Sequence, residues 1–106
     1  MNKRIKLPTT GCYGDYSSNN YGRNCQYVEI GALTLYYSYE TVVAFEDAGK
    51  LTITENVWAQ TTGKHLNWIN RDKSIRIPYR QFVNRLEDVM EKYNLVVNEI
   101  TRYGCF

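Results

Sequence analysis

Between Tyr27 and Glu55 the chain consists of short runs rich in Val, Ile, Thr, Tyr and Phe, joined by only a few turn-forming residues. Such runs suit a pleated, half-buried surface, and connections this short permit antiparallel pairing alone. YVEI meets LTLYYS across Gly31-Ala32, a two-residue turn that starts at Gly. TVVAFE meets LTITE across Asp47-Ala48-Gly49-Lys50, again with Gly at the turn. The expectation is a four-stranded antiparallel meander. Within LTLYYS, Leu33, Leu35 and Tyr37 share one face, and Thr34, Tyr36 and Ser38 share the other. The first set is expected to face the core, leaving Tyr36 exposed or covered by the N-terminal segment.

Pro78 opens the clearest helix, because a residue without an N–H fits a first helical turn. Phe82, Val83, Leu86, Val89, Met90 and Tyr93 recur at helical spacing, while Arg80, Arg85, Glu87, Asp88, Glu91 and Lys92 fall outside that stripe. A helix over about 79–93 should therefore pack across the sheet, with Asn94 as its stop. SIRI (74–77) reads as a short further strand and LVVNEI (95–100) as a last one. Residues 56–73 fit either a long loop or a short helix capped by Thr61 or Thr62 and running through Lys64, Leu66 and Ile69. Residues 1–9 are a basic lead-in. Residues 10–26 are rich in Gly, Ser, Asn and Tyr, which favours turns. That stretch also holds Tyr13, Tyr16 and Tyr21, so it should lie against the domain. The expected architecture is α+β: an antiparallel β-meander of about four to six strands with one amphipathic helix packed on one face, in a single domain spanning 1–106.

Size and composition agree with this reading. The chain has 106 residues, 43% hydrophobic and 23% charged, which suits one soluble domain and argues against wholesale disorder. No apolar run approaches a membrane span, and the N-terminus lacks the apolar core of a signal peptide, so the expected location is the cytoplasm. Cys12, Cys25 and Cys105 are odd in number and lack the short C-x2-4-C spacing of structural zinc sites, so neither a closed disulfide framework nor a metal is expected. A Cys12–Cys25 bond is expected only as a product of oxidation in a purified sample.

The formal charge of +2 is too small to imply a polyanionic partner, but its distribution is uneven. Residues 27–59 carry five acidic and one basic side chain, residues 60–80 five basic and one acidic. Lys64, Arg71, Lys73, Arg76 and Arg80 can thus form a positive patch beside Trp58, His65 and Trp68. The plain alternative is a solvated face that balances the acidic hairpins; the functional one is an anion site for phosphate, nucleotide or an acidic protein surface.

Catalytic patterns find little support. TTGKH lacks the upstream Gly and the Ser or Thr of a phosphate-binding loop, and one His rules out H-E-x-x-H. Glu55, Lys64 and His65 would make an acid–base cluster if the loop folded back, but a lone His beside a Lys is more often structural or at the surface. Ten Tyr and two Trp in so short a chain point instead to contact surfaces, since exposed aromatic rings supply binding area at little rotamer cost.

YSSNNYG, LTLYYSYETVVAFE, ENVWAQTTGKHLNWI and IPYRQFVNRL, in that order, resemble a family of small phage-encoded proteins of unknown function. The resemblance runs from about Gly11 to Leu86 and is most specific in SYETVVAF and TTGKHLNWI. It implies a phage origin and an accessory role in infected bacteria, with no established activity. Together these features lead to the expectation of a non-catalytic, cofactor-free binding protein, monomeric or homodimeric, that inhibits a host (defence) protein by covering its surface, in the manner of an anti-CRISPR protein. Tyr16, Tyr21, Tyr36, Trp58, Lys64, His65, Trp68 and Arg71 are the expected contact residues. The alternative is a nucleotide or nucleic-acid binder that uses the basic, aromatic segment 58–80.

Overall fold

The computed structural model describes residues 9–13 and 25–95. Strands β1 (Thr9–Cys12), β2 (Gln26–Ile30), β3 (Leu33–Ser38), β4 (Thr41–Asp47) and β5 (Lys50–Ile53) form a five-stranded antiparallel sheet in sequential order. Helix α1 (Gln60–Ile69), a 3-10 turn at Lys73–Ile75 and helix α2 (Tyr79–Lys92) follow. The expected meander, β2 to β5, is present, as is the α+β class. No described helix is long and apolar enough to cross a membrane.

Three details differ from expectation. The segment read as lead-in and loop supplies an edge strand, because Thr9–Cys12 pairs with β2 in the register Thr9↔Glu29 to Cys12↔Gln26. Gly11 makes the pairing possible at its centre: a Cβ there would lie 2.6 Å from Tyr27 Oη, so the Tyr27 ring occupies the space a side chain would need. SIRI is not a strand. Its first residues complete the 3-10 turn, and Ile77 alone bridges to Thr54, with Ile77 N donating to Ile53 O and Glu55 N to Ile77 O. Of the two readings open for residues 56–73, the chain takes the helix, but with a different cap. Neither Thr61 nor Thr62 caps it; Ala59 is the N-cap, and Asn56 braces the turn before it, accepting from Trp58 N (2.9 Å) and donating to Ala59 O (3.3 Å). The last expected strand, 95–100, lies outside the described residues apart from Leu95.

Both faces of the sheet are covered. Leu33, Leu35 and Tyr37 point as expected to one face, where Val28 and Phe45 join Phe82, Val89 and Met90 of α2. On the other face Val43, Ala44 and Ile53 pack with Leu66 of α1, flanked by Tyr36, Leu51 and Ile69. A bulge in β4 permits this. The register passes from Tyr36↔Ala44 to Tyr37↔Val42, leaving Val43 as the extra residue. Val43 and Ala44 therefore both turn toward α1 while Val42 and Phe45 turn toward α2.

α2 has well-defined ends. Pro78 is its N-cap, one position before the first helical turn, with Phe82 N donating to Pro78 O. The carboxylate of Glu55 accepts from Tyr79 N (3.3 Å), a negative charge at the positive end of the helix dipole. At the other end Asn94, with φ +57°, is the left-handed stop expected of it. Asn94 N donates to Glu91 O and Leu95 N to Met90 O, the paired bonds of a Schellman motif. Asp47 at the end of β4 then receives Lys92 Nζ (2.7 Å) and Tyr93 Oη (2.6 Å), tying the helix end to the sheet.

Candidate functional site

α1 is amphipathic in a way that builds two sites from one sequence. Thr62, His65 and Leu66 are buried and Ile69 half-buried, an i, i+3, i+4, i+7 stripe facing the sheet. Lys64, Asn67 and Trp68 repeat the i, i+3, i+4 spacing two residues later and so lie on the opposite side, and Arg71 follows just beyond the extended C-cap Asn70.

The inward stripe carries a buried polar cluster. Ser38 Oγ lies 2.7 Å from His65 Nδ1 and 3.0 Å from Thr62 Oγ1, with all three residues buried. Burial lowers the pKa of His65, holding the ring neutral near pH 7. Its flanks are aromatic: Trp68 stacks on it (5.7 Å, 28°), Tyr13 meets it edge-on (6.3 Å) and Tyr39 tilts against it (5.7 Å). His65 was expected to make external contacts and instead lies wholly inside, because the helical phase of α1 turns it to the sheet. The cluster with Glu55 and Lys64 does not form. Glu55 serves the α2 N-terminus, and Lys64 points to solvent on the other side of α1.

The outward stripe opens a groove of about 540 Å³ lined by Lys64, Asn67, Trp68, Arg71 and Lys73. Arg76 underpins it: one guanidinium nitrogen donates to Asn67 Oδ1 (3.0 Å) and to the Asn70 carbonyl (3.3 Å). With its oxygen engaged in this way, Asn67 has its amide N–H groups to offer to the groove. Asp72 lies between Arg71 and Lys73 in sequence and accepts from the Ser74 amide (3.0 Å) and hydroxyl (2.6 Å). Those bonds lower its pKa and fix the carboxylate as the N-cap of the 3-10 turn. The groove thus offers three cationic side chains, an amide and an indole already seated on His65. This set can neutralise and hydrogen-bond an anion and stack a planar group.

The other expected contact residues scatter. Trp58 is exposed, but it packs edge-on against Tyr79 (5.1 Å) and does not line the groove. Tyr36 is half-buried on the α1 side of the sheet, with the Tyr13 ring edge-on at 5.5 Å, so it is covered by the N-terminal segment and not presented. Tyr13 Oη donates to Tyr37 O (2.8 Å). Burial first, then the carboxylates of Glu46 and Glu29 and the Tyr27 phenol, raise the pKa of Tyr36. Tyr16 and Tyr21 lie outside the described residues. The exposed tyrosine that the sequence reading missed is Tyr39, 45% exposed and left-handed (φ +59°) in the β3–β4 turn. Asn67 was missed with it. Its i+3 spacing from Lys64 would have marked it once 60–69 was taken as helix, whereas no local signal marks Tyr39.

The sequence signature described as a family of unknown function (DUF8033) matches residues 9–84, close to the span over which a resemblance was expected. No curated protein and no solved structure matches the chain.

Proposed function

We propose, from the premise that this chain belongs to the DUF8033 family of unknown function, that it is a non-catalytic binding protein that acts by covering a partner's surface. The single observation that carries the reading is the cationic groove on the outer face of α1. Lys64, Arg71 and Lys73 line it together with Asn67 and Trp68, and among the described residues the lining holds no carboxylate, thiol or imidazole. Trp68 rests on His65, so the indole of the groove is held in place before any partner arrives. The partner that fits is an acidic surface on a host protein. A phage origin, the bacterial cytoplasm as workplace and inhibition of a host defence protein complete the proposal.

The test is affinity capture from host lysate with the wild-type chain and with the Lys64→Glu/Arg71→Glu double variant, both shown to fold by circular dichroism. One stoichiometric protein partner that the double variant loses is the expected result. Recovery of nothing above background, or a partner held equally by the variant, overturns it.

A second reading is favoured by the pairing of cations with a seated indole: a nucleotide or single-stranded nucleic acid, with phosphate on Lys64, Arg71 and Lys73 and a base against Trp68. It requires quenching of tryptophan fluorescence by a nucleotide panel or an oligonucleotide. It also requires an affinity that falls steeply as salt is raised, because phosphate contacts release counterions.

A further inference from the structure

The sulfurs of Cys12 and Cys25 approach to 3.2 Å at the end of the β1–β2 pair where the chain joins the two strands. The register places Cys12 opposite Gln26, and Tyr13 N donates to Cys25 O (3.1 Å), so the two cysteines are diagonal neighbours. In a regular ladder they would point to opposite faces. Cys25 sits in the bend just before β2, and there its side chain reaches across to meet Cys12. The two differ sharply in access: Cys12 is exposed and Cys25 fully buried.

We infer that Cys12 and Cys25 form a dithiol modification site that small-molecule disulfides oxidise to an internal bridge. This inference stands independently of the proposed groove. The asymmetry assigns the roles. Cys12, reachable from solvent, gives its proton to water, and the thiolate attacks one sulfur of a disulfide RSSR. The Cys12–S–S–R bond forms, and RS⁻ leaves and is protonated to RSH. Cys25 then loses its proton and attacks the Cys12 sulfur, expelling the second RS⁻, which also becomes RSH. Two protein thiols are oxidised and one RSSR is reduced to two RSH. Closing the contact to a bond of about 2.05 Å needs a movement of only about 1.2 Å, within the reach of side-chain rotation.

The bridge would act on an edge strand. β1 is four residues long, lies at the sheet edge and among the described strands pairs with β2 alone. Tyr13, directly after it, covers Tyr36 and touches His65. A covalent ring from Cys12 to Cys25 spans 14 residues and anchors that edge.

The test uses the full-length reduced chain, incubated in glutathione buffers of rising oxidised fraction, quenched by alkylation and peptide-mapped without reduction. The expected product lacks two hydrogens, carries a Cys12–Cys25 crosslink, returns to the dithiol with dithiothreitol and melts roughly 5 °C or more above the reduced form. The Cys25→Ser variant should stop at a glutathione adduct on Cys12. The Cys12→Ser variant, altered at an exposed position, should leave Cys25 unmodified. A lasting glutathione adduct on wild-type Cys12, a bridge to Cys105 in place of either partner, or alkylation of both thiols throughout the series overturns the inference.

Discussion

His65 is the one histidine of the chain and has no exposed surface. Its ring serves as a packing block: one edge bonds Ser38, and its flanks carry Trp68, Tyr13 and Tyr39. Protonation would put a charge in this enclosed place, which is why burial lowers its pKa. The consequence for stability has a definite sign. Above the unfolded value of about 6.5 both states are neutral and His65 adds no pH dependence. As pH falls below that value the unfolded chain takes up a proton that the folded chain refuses, so stability drops until the folded value is passed. The urea midpoint should therefore be lower at about pH 5.5 than at about pH 7.5, with a slope of up to about 1.4 kcal/mol per pH unit. Because no other histidine is present, the His65→Gln variant should lose that difference even if it is less stable at both values. An unchanged slope in the variant would assign the effect to other groups. Acid loss of the Asp47 contacts with Lys92 and Tyr93, which lower the Asp47 pKa, belongs to a separate window below about pH 4.

At the scale of elements, the turns and caps show where local chemistry agrees with the fold and where it does not. The β4–β5 turn places Ala48 (φ +52°) and Gly49 (φ +86°) both in the left-handed region. Gly49 suits that geometry, but Ala48 carries a side chain that clashes there, at a cost of about 1 kcal/mol. Ala48→Asn would create the Asn-Gly pair this turn prefers and should stabilise the protein by about 0.5–1 kcal/mol in denaturant unfolding. Ala32→Asn in the β2–β3 turn should give no such gain, since among its two central residues only Gly31 is left-handed. α1 shows the opposite case. Its helical stripes are clean, yet Gly63, Thr61 and Thr62 are poor helix formers, and the brace at its start comes from Asn56 outside the helix. Local propensity therefore left loop and helix open for 56–73. The choice is made by burial of Leu66 and His65 against a sheet face that a local reading does not display.

For the molecule as a whole, the sheet is the middle of three layers, with α2 on one face and α1 on the other. β3 and β4 have strand neighbours on both sides and buried residues on both faces. Their amides should exchange only through global unfolding, whereas those of β1 at the edge should open at lower free energy. Native-state hydrogen exchange measures this directly, and β1 protection equal to that of β3 in the reduced protein would contradict it. Layering also explains why the aromatic residues made an incomplete guide to the site. Tyr36 and Tyr37 are neighbours in β3, and each meets a covered face, so neither is presented. Tyr39 is presented because the turn holds it outside the layers.

Periodicity and turn chemistry by themselves determined the meander from β2 to β5, the α2 stripe from Phe82 to Tyr93 and its stop at Asn94. These depend on neighbours a few residues away, which the sequence displays. Charge clustering also marked Lys64, Trp68 and Arg71. Only the tertiary structure decided that β1 joins the sheet, that α1 covers the second face, that His65 turns inward while Asn67 turns outward, and that Cys12 meets Cys25. Each of those depends on which distant surface remains to be buried, and the local pattern carries no record of that surface.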